Sequence, residues 1–318
     1  QSESDGSDAE GEEGSDSMRA STGWETMLEG LMSAGLELTG TWPIRTEMGS
    51  RMIGQGTNAL ASSIVLVCRP KPTELQVASR GSFLTTLKKE LPEAVRLLQH
   101  GNIAPVDLAQ ASIGPGIGVY SRFAKVMEPD GTAMSVRTAL QLINQSLDEV
   151  LSEQDAEFDT DTRWALSWFE QFGVSEGPFG VAETLSKAKV TSVSGLVEAG
   201  IIAAKGGKVR LLKREELKPD WDPESDKRLT VWEITQYFIR ALYDQEGEKA
   251  AGTLLAKVPK YGEAARDLAY RLYSICERKK WPAEAVPYNT LVVAWPEIRR
   301  LASLVGGSAV QMSLFDRG

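Results

Sequence analysis

Along most of this chain apolar positions recur every three to four residues, the spacing of helices that bury one face. One stretch breaks the rhythm. Ile64-Val65-Leu66-Val67-Cys68 is an unbroken, largely β-branched run that ends in Arg69-Pro70, where a ladder cannot continue. Such a run predicts a strand buried on both faces, inside a sheet covered by helices. Ser21-Thr22 is an N-cap for a helix with Met27, Leu28, Leu31 and Met32 on one face, ended by Gly35. An extended segment follows over 36–47, then a Gly-rich excursion over 48–58, then the strand at 62–69. Helix, strand, long connection and antiparallel strand is how many α/β sheets finish.

Further on, residues 80–100 read as a helix with Pro92 opening a new turn, and 104–112 as a short helix with Pro105 in its first turn. The stretch from Ile113 to Val136 predicts a β-hairpin turning at Pro129-Asp130-Gly131. Helices are expected at 136–154, 161–172, 179–188 and 191–199, then two short strands around Lys205-Gly206-Gly207-Lys208. The polar, Pro-containing segment 216–228 reads as a linker. Helices at 229–244, 246–257, 261–280 and 288–303 follow, their aromatics at core spacing, and a loose tail begins at Gly306-Gly307-Ser308.

Composition narrows the classes. At 318 residues there is room for two or three compact units. No apolar run approaches the roughly 20 residues of a membrane span, and no basic-then-apolar leader opens the chain, so a cytoplasmic protein is expected. The first residue is Gln rather than Met, which reads as a processed or truncated chain. Cys68 and Cys276 read as buried, reduced thiols. One His and two distant Cys make no zinc site, and a nucleophile–base pair would rest on His100 alone. The net charge of −9 is concentrated in residues 1–17, which hold seven acidic and no basic side chains. That segment has the composition of a disordered tail. The body keeps 35 Lys and Arg against 37 Asp and Glu, too even to mark a phosphate binder by bulk charge.

"TGWETMLEGLMSAGLELTGTWPIRTE" and "NALASSIVLVCRP" resemble the end of the Rossmann-like domain of class I S-adenosylmethionine-dependent methyltransferases. "NIAPVDLAQASIGPGIGVYSRF", "DTRWALSWFEQFG" and "YRLYSICERKKW" are similar to the C-terminal halves of large adenine-specific DNA methylases of prokaryotic defence islands, the Zn-ribbon-containing type. The resemblance covers nearly everything after residue 21. It implies a predominantly helical α+β chain: a helix and two antiparallel strands left from a methyltransferase sheet, then a helical region. It also implies S-adenosylmethionine as the intact protein's cofactor, and methyl transfer to adenine N6 of a flipped base.

The chain departs from that family where the chemistry lies. The Asp/Asn/Ser-Pro-Pro-aromatic loop has no counterpart, since no Pro-Pro occurs and Pro287-Tyr288 reads as a helix start. The Gly-x-Gly cofactor loop is absent too. Gly114-Pro115-Gly116-Ile117-Gly118 lacks the strand-before, helix-after setting of a phosphate loop and reads as a tight chain reversal. No catalytic, cofactor or metal residue is therefore assigned, and the isolated chain is expected to be inactive. The organisation expected is an acidic tail (1–20), the methyltransferase remnant (21–75), a connector (76–155), a winged-helix-like module (156–218), a helical lobe (219–305) and a flexible tail (306–318).

Candidate binding residues follow from the module. Three helices and a hairpin between residues 161 and 214 have the layout of a winged helix-turn-helix. Lys205, Lys208, Arg210, Lys213 and Arg214 would contact phosphates, releasing counterions. The second helix of the turn offers Thr191, Ser192, Ser194 and Glu198, and lacks the side chains that read bases well. Arg45 and Arg51 follow the sixth strand of the methyltransferase geometry and are candidate backbone contacts. "QMSLF" resembles the bacterial sliding-clamp-binding peptide, in which Gln311, Leu314 and Phe315 would engage the cleft.

Three functions are compatible with this reading. The first is the C-terminal segment of an adenine-specific DNA methyltransferase in a phage-defence system, its partners the upstream catalytic part and double-stranded DNA. The second is a scaffold for other defence subunits; the third is an independent winged-helix regulator. On the first, residues 22–75 expose sheet edge and are expected to be poorly stable or aggregation-prone alone.

Overall fold

A computed structural model describes the backbone of residues 15–45, 62–72 and 74–315, and side chains within 23–44, 63–72 and 74–305. The fold is α+β and mostly helical, and divides into two compact units.

The first unit draws on residues 1–44, 64–94 and 110–147. It opens with α1 (Ser15–Ser33), which starts six residues ahead of the expected Ser21-Thr22 cap and inside the stretch expected to be a disordered tail. Gly35, at φ +79°, turns the chain into β1 (Leu36–Arg45), which pairs with β2 (Ser62–Pro70). Lys71 N–H donates to the Gly35 carbonyl, Arg69 pairs with Glu37, and the Thr39 hydroxyl donates to the Val67 carbonyl. These links run in opposite directions along the two strands, so the pair is antiparallel. The excursion 48–58, with Arg51, lies outside the described residues, as do most of the acidic tail and the Arg45 side chain.

β3 (Val77–Ser79) leads into α2 (Arg80–His100), which carries Pro92 in its interior. Next come α3 (Pro105–Ser121), β4 (Lys125–Met127) and α4 (Val136–Glu153). β3 and β4 pair in parallel, Ala78 opposite Val126. The expected hairpin from Ile113 is thus replaced by helix: Gly114 to Gly118 lie in α3, and only Lys125–Met127 is strand. The turn at Pro129-Asp130-Gly131 survives, closed by Glu128 N–H donating to the Thr132 carbonyl and by Gly131 at φ +84°. The reason is packing. Residues 111–119 are buried almost all round, and glycines let this helix approach its neighbours more closely than any side chain permits. Leu28, Leu38, Phe83, Leu87, Ile117 and Ile143 form the core of this unit.

The second unit takes residues 45–63, 95–109 and 148–318, so α2, α3 and α4 contribute to both units. Its helices are α5 (Thr160–Phe172), α6 (Phe179–Lys189), α7 (Val193–Glu198), α8 (Val231–Leu242), α9 (Glu248–Lys257), α10 (Gly262–Lys279) and α11 (Pro282–Phe315). Three short strands, β5 (Gly177–Pro178), β6 (Ile202–Lys205) and β7 (Lys208–Leu211), form an antiparallel sheet of order β5–β7–β6. Trp232, Phe238, Tyr270 and Trp295 are buried among α8, α10 and α11, as their helical spacing implied. α11 runs through Gly306-Gly307-Ser308 to Phe315, where a loose tail was expected, and Pro287-Tyr288 falls inside it rather than at its start.

Both cysteines are free thiols; Cys276 is buried, whereas Cys68 is half-exposed. Among the described residues no helix is long and apolar enough to cross a membrane, and no three His, Cys, Asp or Glu side chains cluster as a metal site.

Candidate nucleic-acid interface

The expected phosphate contacts gather on and beside the β6–β7 hairpin. Gly206 and Gly207, at φ +60° and +75°, make a two-residue turn of the kind that matches strand twist. Lys205 and Lys208 face each other across it. Like charges opposed on one pair of strands repel, and Lys208 is relieved by Glu176 at 3.1 Å. Lys205 and Lys213 are exposed.

The two arginines of the set are engaged elsewhere. Arg210 forms a two-pronged pair with Glu216, its Nη1 and Nη2 donating at 2.5 and 2.6 Å. Glu216 also accepts from the Lys213 N–H at 2.9 Å. Arg210 above all, then that backbone N–H, holds the Glu216 carboxyl down to about 2. Arg214 points inward: its Nε donates to Gln236 Oε1 at 2.9 Å, its Nη2 to Glu284 Oε1 at 2.5 Å, and its guanidinium lies 5.1 Å from the Tyr288 ring centre. Guanidiniums already satisfied by carboxylates are poor phosphate ligands, so the structure brings three of the five expected cations to the surface.

The helix expected to enter a groove is α7. Ser192 caps it, its hydroxyl accepting from Gly195 N–H at 3.1 Å. Ser194, Val197 and Glu198 face solvent. Val190, between α6 and α7, sits at φ +60° and is 84 % exposed.

Sequence reading missed the clamp behind this helix. Arg228, in the segment read as a linker, donates through Nε to Asp161 Oδ2 at 2.8 Å and through Nη2 to the Thr191 hydroxyl at 3.2 Å. Asp161 is buried and raises the Arg228 pKa, chiefly by accepting that hydrogen bond. Gly195 makes room for it: a methyl group there would lie 2.4 Å from Arg228 Nη1. Asp159 reinforces the junction, capping α5 through Thr162 N–H at 2.8 Å while accepting from Val231 N–H at 3.0 Å. The polar, Pro-containing pattern of 216–228 gave no sign of this, because Asp161 and Thr191 lie 67 and 37 residues away along the chain.

A second feature lies in the first unit. Leu38 N–H donates to Ser121 Oγ at 3.0 Å, so α3 covers the outer edge of β1. On β2, the Val67 carbonyl turns toward β1, which by strand alternation aims the backbone groups of Ile64, Leu66 and Cys68 the other way. No strand pairs with that edge among the described residues. Val65 and Val67 are 44 % and 40 % exposed on one face, and Trp42 and Ile44 are exposed on the other. The burial expected for Ile64–Cys68 on both faces is therefore not met within the described residues.

The side chains of Gln311, Leu314 and Phe315 lie outside the described ones. Residues 159–314, from α5 to the last turn of α11, match a family model described as Domain of unknown function (DUF8807). No curated protein and no solved structure matches the chain.

Proposed function

We propose that this chain is the C-terminal part of an adenine-specific DNA N6-methyltransferase, supplying two strands to its sheet and a DNA-positioning, winged-helix-like module. The observation that carries the proposal is the open edge of β2. A β-branched strand that is apolar on both faces belongs inside a covered sheet, yet among the described residues it has one neighbour. A catalytic domain lying upstream would provide the missing neighbour, together with the Pro-Pro-aromatic and Gly-x-Gly loops that this sequence lacks. S-adenosylmethionine would bind there. The β5–β7–β6 strand order, the three helices before the hairpin and the exposed Lys205, Lys208 and Lys213 support a winged-helix role on DNA.

The test joins the chain to its catalytic part and follows transfer of a labelled methyl group to unmodified duplex. Activity is expected only in the joined protein, with amide exchange at Ile64, Leu66 and Cys68 slowed at least tenfold on joining. Methyl transfer by the 318-residue chain alone would overturn the proposal, as would unchanged exchange on β2. A second reading, a protein-binding scaffold, is favoured by the internal pairing of Arg210 and Arg214. It requires the joined protein to bind DNA equally well without the module's lysines.

A further inference from the structure

Glu233, in the first turn of α8, is buried, and its Oε2 meets no hydrogen-bond donor. The other oxygen occupies the space beside Gly200 that a side chain would need: a methyl group there would lie 2.7 Å from Oε1. Facing the Glu233 carboxyl is that of Asp226, in the segment 218–228. Asp226 is already well supplied: Oδ2 accepts from the Trp221 indole at 2.8 Å, and Oδ1 from Arg228 N–H at 2.8 Å. A buried carboxyl facing a second carboxylate is disfavoured in its ionised form. Glu233, buried and with no donor to its Oε2, is the carboxyl that holds the proton, donating it to Asp226.

We infer that Glu233 is protonated in the folded protein and donates to Asp226, and that this proton latches segment 218–228 onto α8 and the turn closing α7. The segment carries two groups that matter. Trp221 stacks on Tyr237, 3.9 Å between ring centres and 5° from parallel. Arg228 is the clamp on Asp161 and Thr191. Loss of the proton would set two negative charges face to face, one of them wedged against Gly200, and drive the segment and the α7 turn apart. The inference holds whether α7 meets DNA or protein.

The surroundings fix the sign. From the segment, Asp226 and Lys218 face Glu233; from α8, Tyr237 follows one turn on; from the turn closing α7 comes the backbone of Gly200. Burial first, and Asp226 second, push the Glu233 carboxyl up to about 8, against the opposing pull of Lys218. The folded value lies above the unfolded one of about 4.3. The latch therefore contributes in full below about pH 4.3, weakens as pH rises from there and is lost as pH passes about 8.

The experiment titrates the full chain labelled with ¹³C at glutamate carboxyls, the Glu233 signal being assigned by its absence in Glu233→Gln. A midpoint near 8 is expected, lowered by at least a unit in Asp226→Asn. Hydrogen exchange over 191–200 and 218–228, corrected for intrinsic rate, should rise at least tenfold from about pH 7 to 9 in the wild type and stay flat in Glu233→Gln. A Glu233 midpoint in the ordinary carboxylate range would overturn the inference. So would an exchange increase that survives the substitution. If Glu233→Gln does not fold, Asp226→Asn and the wild-type titration decide the matter.

Discussion

Gly116 of α3 lies flat against Ile143 of α4: a methyl group on the glycine would stand 2.6 Å from both Cγ1 and Cγ2 of the isoleucine. Two residues earlier, a methyl on Gly114 would fall 2.0 Å from the Thr41 side chain. These glycines set the distance at which α3 packs on β1 and α4. Gly116→Ala should destabilise the protein by about 1–3 kcal/mol, the usual cost of overpacking a filled core, and Gly114→Ala by at least as much. Gly30 of α1 has nothing within 4 Å, so Gly30→Ala should stabilise by about 0.5–1 kcal/mol through helix propensity. Urea denaturation of the three variants checks both signs. A neutral Gly116→Ala would show that the helix can shift outward at no cost.

That packing also explains where the sequence misleads. A Gly-Pro-Gly-Ile-Gly stretch has the local chemistry of a turn, and its neighbours are what hold it as helix. Thr41 lies 73 residues before Gly114 and Ile143 lies 27 after Gly116, beyond the reach of any window of local pattern. Long amphipathic helices such as α8 and α10, and the β6–β7 hairpin with its paired glycines, were legible because their signals are local. The expected phosphate contacts were legible only in part. Lys205, Lys208 and Lys213 reach solvent as expected, but Arg210 and Arg214 could not be discounted before Glu216 and Glu284 were seen beside them.

The same distinction separates two kinds of arginine and lysine variant. Lys205→Ala and Lys208→Ala together should leave thermal stability nearly unchanged. In the joined protein they should flatten the dependence of log K on log salt by about 2, one counterion per lysine. Arg210→Ala should instead lower stability and leave the salt slope within about 0.5 of wild type. A lysine pair that changes no slope would remove the hairpin from the DNA interface.

Arg228 should behave as a structural residue. Asp161 is buried, and without its guanidinium partner it keeps the hydroxyl of Thr191 and little else. Arg228→Ala should cost about 1–3 kcal/mol, the range for stranding a buried, hydrogen-bonded charge. Arg300 pairs with Glu297 on the surface, and Arg300→Ala should leave stability nearly unchanged. Parallel thermal melts test the contrast. Equal effects at the two sites would mean that Arg228 holds nothing together.

Glu216 gives a pH test opposite in sign to that of Glu233. Its carboxyl is held down to about 2, first by Arg210. Its ordinary unfolded value is near 4.3. The pair's contribution is thus fully present above about pH 5, and is lost as pH falls through the folded value. The stability difference between wild type and Glu216→Gln should be constant at neutral pH and shrink steadily below about pH 4. A difference independent of pH would place the effect in packing rather than charge.

The open edge of β2 allows folding and docking to be separated. Val65 and Val67 occupy the same face, both substantially exposed, so a lysine at Val65 replaces few contacts within the chain. Charge on an exposed strand blocks edge-to-edge association. Val65→Lys should therefore melt within a few degrees of wild type while self-associating less, measured by light scattering at matched concentration. If the catalytic part adds its sheet to this edge and covers this face as well, the same lysine becomes a buried, unpaired cation on joining, a cost of several kcal/mol. The joined Val65→Lys protein should then lose methyl transfer although the separate chain stays folded. A variant that is soluble when separate and fully active when joined would show that β2 remains at the surface, and would leave its apolar face without the neighbour proposed for it.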